Sequence, residues 1–239
     1  MLYWLADLSA RKLLNRVHHV MYDRSIQSTR NQVGNTPNQV SRSIASVLQI
    51  STELHHQLNS WYDLLPSSIK PDNDDLDNHE PDLNKTIILQ RFHAAGDIIF
   101  RPFLYHVCAL PADTCLPAFM LECCATCIHH CRKFLSFVSK RLETPSGSTE
   151  IVMHSSVTSD IVCDDNLVTS RYRTLAATII LSLASLSPLL KHLVPDINSL
   201  DQITVTLLEK WAFPGSSIES MLSIATALAA KRRVVVHDT

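Results

Sequence analysis

Glycine is nearly missing from this sequence, with four in 239 residues. Folds built on tight strand-to-helix turns and phosphate-cradling loops use glycine at several fixed places. Its scarcity counts against an α/β architecture and for helices. There is no Gly-x-Ser-x-Gly elbow, no Walker loop and no dinucleotide glycine pattern, so no nucleophile or nucleotide site is written locally in the chain. No run of about 18 uninterrupted apolar residues is available for a membrane span. The nearest approach, residues 174 to 190, is broken by serines and by Pro188. A secretory signal is lacking too, since Asp7, Arg11, Lys12 and Arg16 interrupt the apolar pattern at the start. An excess of one charge is the last absence. Twenty-one Lys and Arg stand against 23 Asp and Glu, for a net charge of −2 and a pI near 6.6. The basic residues are scattered, whereas a grip on phosphates draws on clustered ones. The chain by itself is not expected to bind DNA.

What is present is apolar material. Hydrophobic residues make up 46% of the chain, enough for a sizeable core in one large domain or two small ones. Seven cysteines without a secretory signal indicate a reducing compartment and free thiols. No internal repeat of fixed period is visible.

The strongest periodic stretch is residues 83 to 107, where Ile88, Phe92, Ala95, Ile99 and Phe103 recur at spacings of three and four. That is one continuous apolar helix face. Asp97 and Arg101 stand four apart, as an ion pair on the polar side of the helix. Pro102 has no N–H and crowds the carbonyl four residues back, which predicts a kink or a tightened final turn. This helix is expected to be the central element of an all-α core.

Before it, residues 2 to 26 read as an amphipathic helix with Leu2, Leu5, Leu13, Val17 and Val20 toward the core, followed by a polar loop at 27 to 39. A second helix, about 40 to 62, aligns Val40, Ile44, Val47, Leu54, Leu58 and Trp61, and Pro66 stops it. Residues 71 to 82 form an acidic loop. After a break at Leu110-Pro111, residues 116 to 142 give a helix carrying four cysteines. Residues 143 to 170 are a Ser/Thr-rich connector. A very apolar helix spans 171 to 191 and ends near Pro188, and a shorter one spans 197 to 210. Ser216-x-x-Glu219 is a capping box opening the last helix, to about 231. Residues 1–142 and 171–239 are thus two parts of one helical domain joined by the connector.

Four constellations bear on chemistry. Cys123, Cys124, Cys127 and Cys131 include a pair at zinc-like spacing, but zinc pairs sit on turns with a second pair elsewhere. On a helix, 123, 127 and 131 line one face, and buried cysteines act as small apolar side chains. Asp72, Asp74, Asp75, Asp77 and Glu80 invite a calcium reading. Counted from Asp72, however, Leu76 falls at position 5, Asp77 at 6 and Leu83 at 12, where a calcium loop needs an oxygen ligand, Gly and Glu. The pairs His18-His19, His55-His56 and His129-His130 are neighbours about 100° apart on a helix and cannot face one metal together. His79-Glu80 runs into Pro81 without a second histidine. Lys231-Arg232-Arg233 reads as a cationic helix end complementing the dipole, and also as a candidate import signal.

Residues Leu89 to Tyr105, ending in the run FRPFLY, resemble the signature helix of the fungal-specific transcription factor domain. This is the middle homology region of fungal zinc binuclear-cluster regulators. Residues 2 to 22 and 54 to 71 (LHHQLNSWYDLLPSSIKP) resemble its flanking segments, so the signature comprises Arg101, Pro102, Phe103, Leu104 and Tyr105 with Trp61 and Tyr62. The resemblance implies a multi-helix bundle and a regulatory role in the nucleus through partner proteins or a small-molecule effector. Oligomeric state is left open, a dimer included. DNA would be met only through a separate zinc-cluster domain, whose six-cysteine pattern is absent here. The chain thus corresponds to the C-terminal part of a larger regulator or to a short paralogue. No catalytic, cofactor-binding or metal-binding residue is implied, and no membrane contact. Two rivals stand beside it. One is a stand-alone helical protein that binds a small molecule or acts as an enzyme. The other is an interaction module that pairs with a full-length paralogue, recognisable by a large exposed apolar patch.

Overall fold

The computed structural model describes residues 1–30, 37–71, 83–143, 165–210 and 212–237. Among them the chain forms seven α-helices, one short 3₁₀ helix and no strand: α1 Leu2–Arg30, α2 Pro37–Asp63, α3 Leu83–Cys108, α4 Ala118–Glu143, α5 Asp165–Leu186, the 3₁₀ turn Lys191–Leu193, α6 Ile197–Glu209 and α7 Ser217–His237. The all-α expectation holds. The helices divide into two compact units, Met1–His106 with Leu116–His130, and Val107–Cys115 with Cys131–Thr239. The acidic loop from Asp72 to Glu80 lies outside the described residues, as do positions 144 to 164 of the connector.

In the first unit, α1 buries Ala6, Ala10, Leu14, Val17 and Met21, a stripe with steps of four, four, three and four. The expected stripe is corrected here. Leu2 and Leu5 are nearly half exposed, alongside Trp4 and Leu8, because the two alanines let the helix approach its neighbours closely and so choose the buried face. α1 and α2 also extend into both sides of the segment 27 to 39 read as a loop. Pro37 opens α2, a position where a missing N–H costs nothing. Leu54 and Leu58 are buried as expected, and Ser51 joins them at 0% exposure. Ala6, Leu65, Ile69 and Ile88 form a core cluster with Tyr3, Trp61 and Tyr62 packed against it. Trp61 Nε1 donates to Ser9 Oγ at 2.9 Å, and Asp7 accepts from Arg11 at 2.7 Å and from Arg91 of α3 at 3.1 Å.

Helix α3 is buried without a break from His93 to Phe100. The pair Asp97–Arg101 forms, but on no solvent face: the Asp97 side chain is 3% and the Arg101 side chain 14% exposed. A buried carboxylate is tolerated when a guanidinium neutralises it. The helix passes through Pro102 and ends six residues later, so the tightened final turn lies at Val107–Leu110 (N–H to carbonyl, 3.1 Å) instead of at the proline. Pro102 leaves the Ile98 carbonyl without its intrahelical donor. The carbonyls on either side receive bonds from the flanking helices, Ser51 Oγ to Ile99 at 3.1 Å and Cys127 Sγ to Asp97 at 3.7 Å.

In the second unit, α5 starts at Asp165, inside the stretch read as connector, and stops before Pro188, where a residue preceding proline leaves the helical region. Its buried face carries Thr174, Thr178 and Ser182 beside Ala177, Leu181 and Ala184, a polar seam one helical turn apart. Thr178 Oγ1 meets Thr204 Oγ1 of α6 at 2.8 Å, while both hydroxyls also approach their own i−4 carbonyls. Two hydroxyl protons serve three bonds, so one is always shared. At the start of α7 the expected capping box forms, with the Glu219 N–H donating to Ser216 Oγ at 3.2 Å. The return bond comes from the Gly215 N–H to Glu219 Oε2 at 2.7 Å, one residue earlier than the usual pattern, with Gly215 in the left-handed region at φ 78°. α7 runs on to His237, so Lys231-Arg232-Arg233 is not a helix end. Arg232 is 3% exposed. It is ion-paired with Asp201 and donates to Ser182 Oγ at 3.2 Å.

Candidate functional site

In the first unit, α2, α3 and α4 each bring a histidine to one place. His93 comes from the buried face of α3. His130 comes from α4, three residues after Cys127 and on the same inward side. His55 comes from α2, one turn after Ser51. His93 and His130 are both buried, with their Nδ1 atoms 2.9 Å apart. His55 stands edge-on to His130 at 6.2 Å between ring centroids and to Phe100 at 5.0 Å. Phe92 lies 5.7 Å from His130 and 4.8 Å from Tyr62, so the aromatic chain reaches the Trp61-Tyr62 segment.

Gly96 makes the arrangement fit. A Cβ there would stand 2.4 Å from His130 Nε2 and 2.5 Å from two ring carbons, far inside contact distance. The imidazole rests on bare α3 backbone, which only glycine leaves open.

Burial is the chief reason that His130 loses its proton so readily. With the neighbouring His129 and His55 adding to it, its pKa is pushed down to about 3. Burial also lowers that of His55. A neutral imidazole donates one hydrogen bond and accepts one, and with its pKa held this low His130 is not poised as a general base near pH 7. The 2.9 Å separation is that of a hydrogen bond. Two nitrogens on a tetrahedral metal at about 2.0–2.1 Å would stand about 3.3 Å apart. Among the described residues no group of three or more His, Cys, Asp or Glu side chains converges as a metal site, and no helix is long and apolar enough to cross a membrane.

No protein-family model, no curated protein and no solved structure matches the chain.

The residues singled out from the sequence fall as follows. Phe103 and Leu104 are buried, Arg101 is in its ion pair with Asp97, Pro102 is half-buried, and Tyr105 is 45% exposed. Trp61 and Tyr62 are half-buried, the latter donating from its hydroxyl to the Pro71 carbonyl at 2.8 Å. Cys123, Cys124, Cys127 and Cys131 are free and buried, and burial followed by Glu122 pushes the Cys123 thiol up to about 11. Of the three histidine pairs, His18-His19 is exposed, and the other two each split into one exposed ring, His56 or His129, and one turned inward, His55 or His130. Sequence reasoning missed His93 and Gly96. The usable signal was an isolated glycine inside an otherwise apolar helix, which has a packing reason when it survives there.

Proposed function

We propose that this chain is the regulatory domain of a fungal transcription regulator, without a DNA-binding zinc cluster of its own and acting through a partner protein or a small-molecule effector. One observation supports the reading above others. The segments that carry the resemblance lie in one unit and touch: Tyr62 packs on Phe92 of α3 at 4.8 Å, and α3 carries Arg101, Phe103 and Leu104 inward. In this reading the domain works in the nucleus, and contact with DNA is made by a separate zinc-cluster module. The buried signature residues shape the domain and take no catalytic, cofactor or metal role.

The test is chromatin occupancy of the tagged chain in fungal cells, set beside DNA binding by the purified chain. Occupancy at discrete promoters together with no DNA binding by the purified chain is the expected pair of results. Absence from chromatin and from the nucleus under all growth conditions contradicts the reading.

A further inference from the structure

Two imidazole nitrogens 2.9 Å apart in a helical core fix how many protons the site can hold. A neutral histidine carries one N–H and one bare nitrogen. In the pair, one ring donates from Nδ1 and keeps a bare Nε2. The other accepts at Nδ1 and carries its own proton on Nε2. A first added proton goes to the bare Nε2 of the donor, and the bridge survives as a charge-assisted hydrogen bond. A second has one place left, the accepting Nδ1. Its arrival removes the acceptor and leaves two cations at hydrogen-bond distance in a medium of low dielectric.

The surroundings decide how that strain is released. The His130 ring cannot move toward α3, because the Gly96 backbone is already its floor. Phe92 stands at 5.7 Å and His55 of α2 edge-on at 6.2 Å. Among the described residues, the titratable and charged groups near the pair include His55 from α2, His129 from α4 at 5.8 Å from His130, and on the next turn of α3 Asp97, ion-paired with Arg101. The two neighbouring rings, His55 and His129, are bases that would add positive charge on acidification. With the side toward α3 closed to the ring, repulsion between the two cations acts to push α3 and α4 apart.

We infer that the His93–His130 bridge is a proton-operated latch that holds α3 against α4 in the first unit, closed with up to one added proton and opened by the second. Either ring can serve as the acceptor, and burial with its histidine neighbours holds the His130 pKa down to about 3 in the closed form. Once open, both rings regain ordinary basicity, so opening sets in between the usual histidine value of 6.5 and about 3.

The experiment is NMR of the full ¹⁵N-labelled chain. At pH 7 a nitrogen–nitrogen coupling across the two Nδ1 atoms is expected. On acidification it disappears in the same step in which backbone amides near His93–Asp97 and Cys127–Cys131 lose protection from exchange. In His130→Gln, which fills the seat without titrating, that opening moves at least one pH unit lower or vanishes. The latch is overturned by no coupling at pH 7, by loss of the coupling while amide protection persists, or by opening of His130→Gln at the wild-type pH. Should His130→Gln fail to fold, the coupling and the exchange in the unaltered chain decide the matter.

Discussion

Gly96 of α3 and His130 of α4 leave no space between them: a methyl group at position 96 would stand 2.4 Å from His130 Nε2. Helix propensity alone says that Gly96→Ala should gain about 1 kcal/mol. Overpacking a close core contact costs about 1–3 kcal/mol, and here it also pushes the His130 ring off its bond with His93. A net loss of stability is expected in denaturant unfolding. Adding His130→Ala should recover part of it, since the two changes share one contact. A Gly96→Ala chain more stable than the parent would show that the ring has room to move.

The two buried ion pairs should behave unlike their surface counterpart. Removing Arg101 takes the guanidinium from the Asp97 carboxylate, whose side chain is 3% exposed, and removing Arg232 takes it from Asp201, whose side chain is 6% exposed. Each alanine substitution is expected to cost about 3 kcal/mol, the usual order for one partner of a buried pair. Arg11→Ala removes a partner of Asp7 that is 29% exposed and should stay within about 0.5 kcal/mol. Thermal melts of the three variants side by side give the comparison. Equal shifts for all three would contradict the buried placement.

Acid should weaken the fold through His130. In the unfolded chain this ring takes a proton below about 6.5, while in the folded chain it refuses one until about 3. Between those values the unfolded state binds more protons, so stability falls as pH falls, by up to about 1.4 kcal/mol per pH unit from this group. Above 6.5 the group adds no slope. Urea unfolding at a series of pH values from 7 to 4 measures this. The His130→Gln chain should show a shallower dependence, and an identical slope would remove His130 from the effect.

Much of the helical layout was legible from period and caps. α3, α6 and the Ser216–Glu219 box stand where spacing and capping chemistry put them. The cysteines of α4 lie inward because their spacing matches one helix face. The failures share a cause, which is that burial is decided between helices. Leu2 and Leu5 outrank Ala6 and Ala10 in apolarity, yet the alanines allow the closer approach and take the core. Asp97 and Arg101 read as a pair on the polar face, and Arg232 as a cationic helix end, because the sequence does not show which neighbours cover them; burial of Arg232 becomes tolerable only with Asp201 of another helix in reach. The start of α5 carries Asp165, Asn166 and Ser170, with too few apolar residues to set a period. The His93–His130 bridge joins residues 37 apart on different helices, and no local pattern encodes it.

The regulatory reading is met most directly by tethering. The chain is fused to an unrelated DNA-binding domain in a fungal cell that carries a reporter under the matching sites. Transcription from the reporter is expected to differ from that given by the DNA-binding domain alone at equal protein level. The difference should shrink in the Gly96→Ala chain, whose first unit is disturbed. Reporter output equal to that of the DNA-binding domain alone, with the fusion folded and nuclear under every condition tried, would contradict it.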